Sequence, residues 1–305
     1  MSPTILDMSL RRALCAAVPV LALAVGACAP VEDEPTTAIS DPAVSAPGSP
    51  GAGDGACATD ELPLLESGKL TIGTDTPAYE PWFVDNDPTN AQGFESALAY
   101  AVADELGFTA DEVTWVTVPF NTSYKPGTKA FDFDINQISI TPARAESVDF
   151  SDGYYSAAQA VVALAGTAGA EATSLADLKG LRLGAQTGTT SLTAIRDVIQ
   201  PDADPLVFED TNIAKQALKN DQVDAILADL PTAFYISAVE IEGSQIVGQF
   251  QVEGEQSEQF GMLFEKNSPL VPCVNAALAT LEADGTLADI EREWLSDAVS
   301  VPELS

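Results

Sequence analysis

The chain has 305 residues, 46 of them Asp or Glu against 13 Lys or Arg, and it contains no histidine. The missing imidazole removes His-based acid–base chemistry and His-ligated metal sites, and a net charge of −33 argues against nucleic acid and against an electrostatic hold on anionic lipid. Hydrophobic residues make up 46%, enough for one large domain or two smaller ones.

In chain order, Arg11 and Arg12 come first and lead into an apolar run over residues 14–25, too short to span a bilayer. It ends in Val25-Gly26-Ala27-Cys28, and small residues before a Cys at this point resemble the lipobox of bacterial lipoproteins. Residues 1–27 therefore read as a signal peptide, started at Met1 or Met8, and Cys28 as the lipidated first residue of the mature chain. Residues 28–56 are Pro, Ala, Gly, Ser, Thr and acids, a composition that cannot bury enough apolar surface to order itself. As a flexible coil this tether spans on the order of 30 Å. Cys15 leaves with the signal and Cys28 takes lipid, so Cys57 and Cys273 remain as an even pair outside the cytoplasm, which predicts a disulfide.

The globular part alternates strands and helices. Residues 70–75 read as a buried strand. Residues 93–108 read as a helix whose Phe94, Ala97, Leu98, Ala101, Val102 and Leu106 form one apolar stripe. Strands follow at 113–118 and at 131–135, where Phe131, Phe133 and Ile135 alternate with Asp132 and Asp134. A strand at 181–184 leads into Thr187-Gly188-Thr189-Thr190 and a helix. A strand at 223–229 runs into Leu230-Pro231, where Pro starts another helix. Helices at 270–281 and 287–294 close the chain, split by Asp284-Gly285. This order predicts α/β layers with mainly parallel sheets.

In such sheets ligands bind at the carboxyl ends of strands. Asp75, Ser139, Thr141, Arg144, Thr189, Thr190 and Asp229 all fall at such ends. Arg144 is the only Lys or Arg between Lys129 and Lys179. A guanidinium matches a carboxylate in bidentate fashion, and that carboxylate belongs either to a ligand or to Glu146, Asp149 or Asp152. Gly188-Thr189-Thr190 is placed to open a helix, whose free N–H groups favour an anion, or Thr189 is a plain N-cap. Asp229 suits an ammonium, or it caps the next helix. Tyr79, Trp82 and Phe120 supply aromatic walls or belong to the core.

These residues sit in ordered motifs: Gly73-Thr74-Asp75 with Tyr79 and Trp82; Gly93-Phe94-Glu95; Ser139-Ile140-Thr141-Pro142-Ala143-Arg144; Gln186-Thr187-Gly188-Thr189-Thr190; Asp224 to Asp229; Gln259-Phe260-Gly261; then Asn275, Asp284-Gly285-Thr286 and Trp294. Together they resemble the extracellular solute-binding proteins of ABC importers, the polar-amino-acid-binding family with the type II periplasmic-binding-protein fold. The resemblance runs from about residue 68 to 295. It implies that Arg144 clamps a ligand α-carboxylate shared with Thr189 and Thr190. It gives the α-ammonium to Asp229, with Ser139 and the backbone near Gln137 beside it. Tyr79 and Phe120 would sandwich the ligand, and Asp75 would lie on the pocket floor. Asn136-Gln137 departs from the small residues common there, which implies a narrower or more polar pocket. The irregular loop over residues 122–129 leaves the register of Phe120 open. Glu95 stands in place of the usual Asp and is expected to matter little.

The resemblance further implies two lobes, 57–155 plus 252–305 and 156–251, joined by two hinge strands, with the Cys57–Cys273 bridge inside the first lobe. The expected protein is a monomeric, lipid-anchored receptor on the extracellular face of the cell membrane, without cofactor or metal. It captures an amino acid and delivers it to an ABC permease without acting on it. A cyclohexadienyl dehydratase-like enzyme on the same fold and a ligand-sensing module are the rival expectations. Among amino acids, Asp75 favours a side chain carrying donors, such as Gln, Asn or a basic residue.

Overall fold

The computed structural model describes residues 57–252, 258–295 and 301–305; the expected signal peptide, the lipidation site Cys28 and the tether lie outside the described residues. The strands are β1 (Leu70–Thr74), β2 (Val113–Thr117), β3 (Phe133–Asp134), β4 (Asp149–Phe150), β5 (Tyr155–Ser156), β6 (Gln159–Leu164), β7 (Leu183–Gln186), β8 (Leu206–Phe208), β9 (Ala225–Asp229), β10 (Ser244–Phe250), β11 (Gln259–Phe260) and β12 (Leu263–Phe264). The α-helices are α1 (Phe94–Glu105), α2 (Phe120–Ser123), α3 (Pro142–Ala145), α4 (Thr190–Ala194), α5 (Thr211–Lys219), α6 (Leu230–Tyr235), α7 (Val271–Asp284) and α8 (Thr286–Leu295).

Two five-stranded sheets organise the chain, in the orders β2-β1-β3-β12-β4 and β10-β6-β9-β7-β8. The α/β architecture expected from the sequence is present. Each sheet has a parallel part, β2-β1-β3 in the first and β9-β7-β8 in the second. Antiparallel strands complete each one: β12 pairs with β3 and β4, and β6 pairs with β9 and β10. The chain passes from the first sheet to the second after β5 and returns before β11, and these two segments lie side by side, with Tyr155 opposite Phe260.

Period-two alternation explains how the second sheet is buried on both faces. Val161, Ala163, Ala225 and Leu227 pack with Leu192 and Ile195 on one side, while Ala160, Val162, Ile226 and Ala228 pack with Ala214, Leu218 and Ala233 on the other. In the first body, α1 buries Phe94, Leu98 and Val102, four residues apart, together with α7 and the aromatic side chains of Trp82, Phe133 and Phe260. Gly93, at φ +95, opens α1 where a Cβ would lie 2.4 Å from the Trp82 carbonyl oxygen, so only glycine allows the 81–82 segment to dock there. Cys57 and Cys273 are joined as a disulfide, tying the start of the described chain to α7. By chain-entropy arguments a loop this long contributes about 5 kcal/mol at most.

One boundary differs from the expectation. Residues 301–305 were assigned to the first body, yet Glu303 pairs with Gln249 beside β10 and Leu304 is buried in the second core. The reason is local: Leu304 fills the space left open at Gly248, where a Cβ would stand 2.6 Å from Leu304 Cγ.

Candidate functional site

The carboxyl ends of β1, β7 and β9 and the starts of α2 and α4 converge on one cleft between the two sheets. Of the expected site residues, Asp75, Tyr79, Phe120, Gln137 and Ser139 line it from the first body, and Thr189, Thr190 and Asp229 from the second. The free volume of this partly open cleft is about 50 Å3, below the roughly 300–1,000 Å3 of small-molecule sites. Contacts between the two walls include four hydrogen-bonding pairs. Trp82 Nε1 donates to Thr232 Oγ1 at 2.8 Å, the Thr211 N–H donates to the Tyr79 hydroxyl at 3.2 Å, Arg144 Nη2 donates to the Gly188 carbonyl at 2.9 Å, and Ser139 Oγ lies 3.3 Å from Thr190 Oγ1.

Arg144 is held by α3, whose N-cap Thr141 accepts the Arg144 N–H. Its side chain is 8% exposed, so the surface ion-pair reading does not hold; Asp149 pairs with Lys266 instead. The guanidinium lies just behind the cavity wall, donating to the Ser139 carbonyl at 2.7 Å and to Gly188. These bonds use two of its five N–H donors. It stacks over Tyr124 at 4.9 Å and Phe120 at 5.5 Å, a cation–π setting that fixes its plane. Phe120 is 8% exposed and faces the cleft, which settles its register.

Trp82 is corrected. It is fully buried in the first core, edge-on to Phe94, Tyr155 and Phe260, and only its indole N–H reaches toward the cleft. Docking of its backbone carbonyl onto the α1 N–H groups leaves the ring no path outward. Glu95 is corrected as well, because it is not a minor replacement. It is fully buried and accepts the Gln137 backbone N–H at 2.7 Å, the Gln137 side-chain amide and the Tyr154 hydroxyl. Gln137 sits at φ +47, a left-handed backbone that a non-glycine residue seldom adopts, and Glu95 pins it there. Burial pushes the Glu95 carboxyl up to about 7, against the pull of those donors.

Thr189 is an N-cap: it accepts the Leu192 N–H at 3.1 Å and donates to the Gln186 carbonyl at 2.8 Å. Asp75 accepts the N–H groups of Thr76 and Phe120, and burial still raises its pKa. Asp229 precedes α6 without capping it and accepts from Gln159 Nε2 at 2.9 Å. Burial, and then the neighbouring Glu258 charge, hold its pKa well above the usual carboxylate range.

Gln159, Tyr124 and Glu258 were missed by the sequence reading. Gln159 left a signal: it is a polar residue, 1% exposed, opening an otherwise apolar β6. The cleft lining carries the carboxylates Asp75 and Asp229 and the hydroxyls of Ser139, Thr189 and Thr190, with the Arg144 guanidinium just behind it.

A family model, bacterial extracellular solute-binding proteins, family 3, matches residues 70–297. The chain is 30% identical over 231 residues to the ABC transporter arginine-binding protein 1 of Escherichia coli (strain K12), covering 74% of this chain and 90% of that one. Among solved structures it is similar to an ancestral arginine-binding protein bound to glutamine, at TM-score 0.64 and 32% identity, covering 75% of this chain and 99% of that one. It is also similar to the ancestral amino acid-binding protein AncCDT-1, a precursor of cyclohexadienyl dehydratase, at TM-score 0.61 and 29% identity over 74% of this chain and 95% of that one. With its type II periplasmic-binding-protein fold, the chain belongs to the bacterial extracellular solute-binding proteins of family 3, among the amino-acid-binding proteins of ABC transporters.

Proposed function

We propose that this protein is a receptor that binds one polar amino acid between two lobes and hands it to an ABC permease. It acts as a monomer on the extracellular face of the membrane, held by lipid on Cys28. The reading rests on one observation: Ser139 of the first body meets Thr190 and Asp229 of the second across a single cleft, with Arg144 bonded to the Ser139 and Gly188 carbonyls beside it. The ligand carboxylate takes the Arg144 face and the Thr190 helix start. The ammonium takes Asp229, and Tyr79 and Phe120 bracket the side chain. Because the groups come from both bodies, a ligand that touches both stabilises the closed form.

The second reading, a dehydratase on the same fold, is favoured by carboxyl groups with raised pKa at Asp75 and Glu95. Glu95 is sealed behind Gln137, so the candidate acids on the cleft surface are Asp75 and Asp229.

The test is thermal shift of the full chain, stripped of bound ligand, against the twenty amino acids. A raised Tm with a small polar subset is expected. No response to any amino acid sinks the receptor reading, and turnover of prephenate or arogenate would carry the enzymatic one.

A further inference from the structure

Glu258 lies where the chain returns from β10 to β11, half-buried and next to the cleft. It accepts Ser139 Oγ–H at 2.5 Å through Oε1 and Gln159 Nε2 at 3.1 Å through Oε2. The same Gln159 amide nitrogen donates to Asp229 Oδ1 at 2.9 Å. Two carboxylates thus share one amide group, and among the described residues neither forms a salt bridge with Lys or Arg. Like charges this close are unfavourable unless a cation or a proton joins them. Arg144 is near enough to feel both charges, but its Nη1 and Nη2 donate to carbonyl groups.

A residue that only ties the return segment to the two bodies needs no charge. A neutral amide has one acceptor oxygen where Glu258 uses two, so it would serve Ser139 or Gln159 but not both, and it would not repel Asp229. Beyond those two bonds, Glu258 sets a second carboxylate beside Asp229 and a hydroxyl. The three oxygen-bearing groups come from three parts of the fold: Ser139 from the first body, Asp229 from the second, Glu258 from the segment between.

We propose that Asp229 and Glu258 together form a two-carboxylate acceptor for the ligand's ammonium, and that Glu258 is a specificity-determining residue that makes the site select amino acids over 2-hydroxy acids of the same side chain. This rests on the amino-acid reading above and deepens it. An ammonium has three donors and a full charge, so it serves Asp229, Glu258 and Ser139 Oγ at once. A hydroxyl at that position brings one donor and no charge, and leaves the pair uncompensated.

The experiment uses the full chain, the amino acid with the largest Tm rise in the panel of twenty, and the 2-hydroxy acid with the same side chain, each titrated by calorimetry. Glu258→Gln is expected to raise the amino acid's Kd about tenfold or more and to leave the 2-hydroxy acid's Kd unchanged or lower. The preference for the amino acid then falls by at least about tenfold. Glu258→Asp keeps the charge and is expected to retain most of that preference, and it serves if the Gln variant fails to fold. An unchanged preference in Glu258→Gln, or an Asp variant without preference, overturns the assignment while the receptor reading stands. Failure of every amino acid to bind the unaltered chain removes the receptor reading first, and this one with it.

Discussion

The two walls of the cleft are built differently. Under the first-body wall, the buried oxygens of Asp134, the Thr74 hydroxyl, Asn121 Oδ1 and Asn136 Nδ2 have no hydrogen-bond partner among the described residues. In the second body, β6 to β10, no buried side-chain polar atom of the described residues is left in that state. Its polar groups end in caps and pairs instead: Thr189 on α4, Asp210 on α5, Ser191 on Gln159. Unpaired buried groups cost roughly 1–3 kcal/mol each, so the first wall carries unfavourable electrostatics that the second does not. The first wall holds buried groups without partners and the second a row of capped helix starts, and both lend residues to the cleft.

Removing the cation breaks this contrast most severely. Arg144→Ala is expected to weaken binding of the amino acid identified by thermal shift about a thousandfold, since two charge-assisted bonds at roughly 1.5–3 kcal/mol each are lost. It also lowers the ligand-free Tm, because the Ser139 and Gly188 carbonyls lose their donor. Calorimetry and melting of the unliganded variant report the two separately. Binding retained within tenfold would mean that Arg144 only fastens the walls together.

Asp134→Asn sharpens the contrast in stability rather than in binding. Burial holds the Asp134 pKa well above 3.8, so the folded state keeps the proton more readily than the unfolded one. That favours the fold below about pH 4 and is progressively lost as pH rises toward the folded-state pKa. Asparagine does not titrate, so the variant is expected to gain roughly 1–3 kcal/mol at neutral pH, shrinking as pH falls toward 4. Urea unfolding at pH 4 and pH 7 measures the difference. A loss of stability at pH 7 would show that Asp134 has a partner worth keeping.

How much of this was legible in the sequence follows from what each residue type signals. Arg144 stood out as an isolated cation, and Ser139, Thr190 and Asp229 as polar residues at strand ends; the last three line one cleft, and Arg144 bonds to the Ser139 carbonyl behind it. Trp82 was misread because an aromatic side chain near a strand end looks the same in a core and in a ligand wall. Glu95 was undervalued because the sequence does not show that a helix start faces inward, where a carboxylate meets Gln137 and Tyr154. Glu258 is one of three acids at 253, 255 and 258 in a stretch with no apolar periodicity, so the sequence does not mark it out. The tail over residues 301–305 was assigned to the wrong body because a single buried Leu304 carries no pattern.

The smallest effect belongs to the second wall. Thr189→Ala removes an N-cap and is expected to cost about 1 kcal/mol of stability while changing ligand affinity less than about fivefold. A loss of binding comparable with Arg144→Ala would mean that the Thr189 hydroxyl leaves its cap to meet the ligand, and that the second wall is not self-satisfied after all.

The pairing of Glu303 with Gln249 has a consequence for solubility. β10 is an edge strand, and the chain's own residues 302–304 occupy part of its open side, with hydrogen bonds of 2.8 Å from the Gln249 N–H to Pro302 and from the Leu304 N–H to Gln249. The opposite edge, β8, has no such cover among the described residues and shows Leu206 and Val207 at 37% and 45% exposure. There the sequence supplies Asp202, Asp204, Pro205, Glu209 and Asp210 around three apolar residues, charges and a proline that discourage a foreign strand from adding. One sheet thus guards its two edges by different means, a piece of its own backbone on one side and like-charge repulsion on the other, and only the second guard weakens as salt rises.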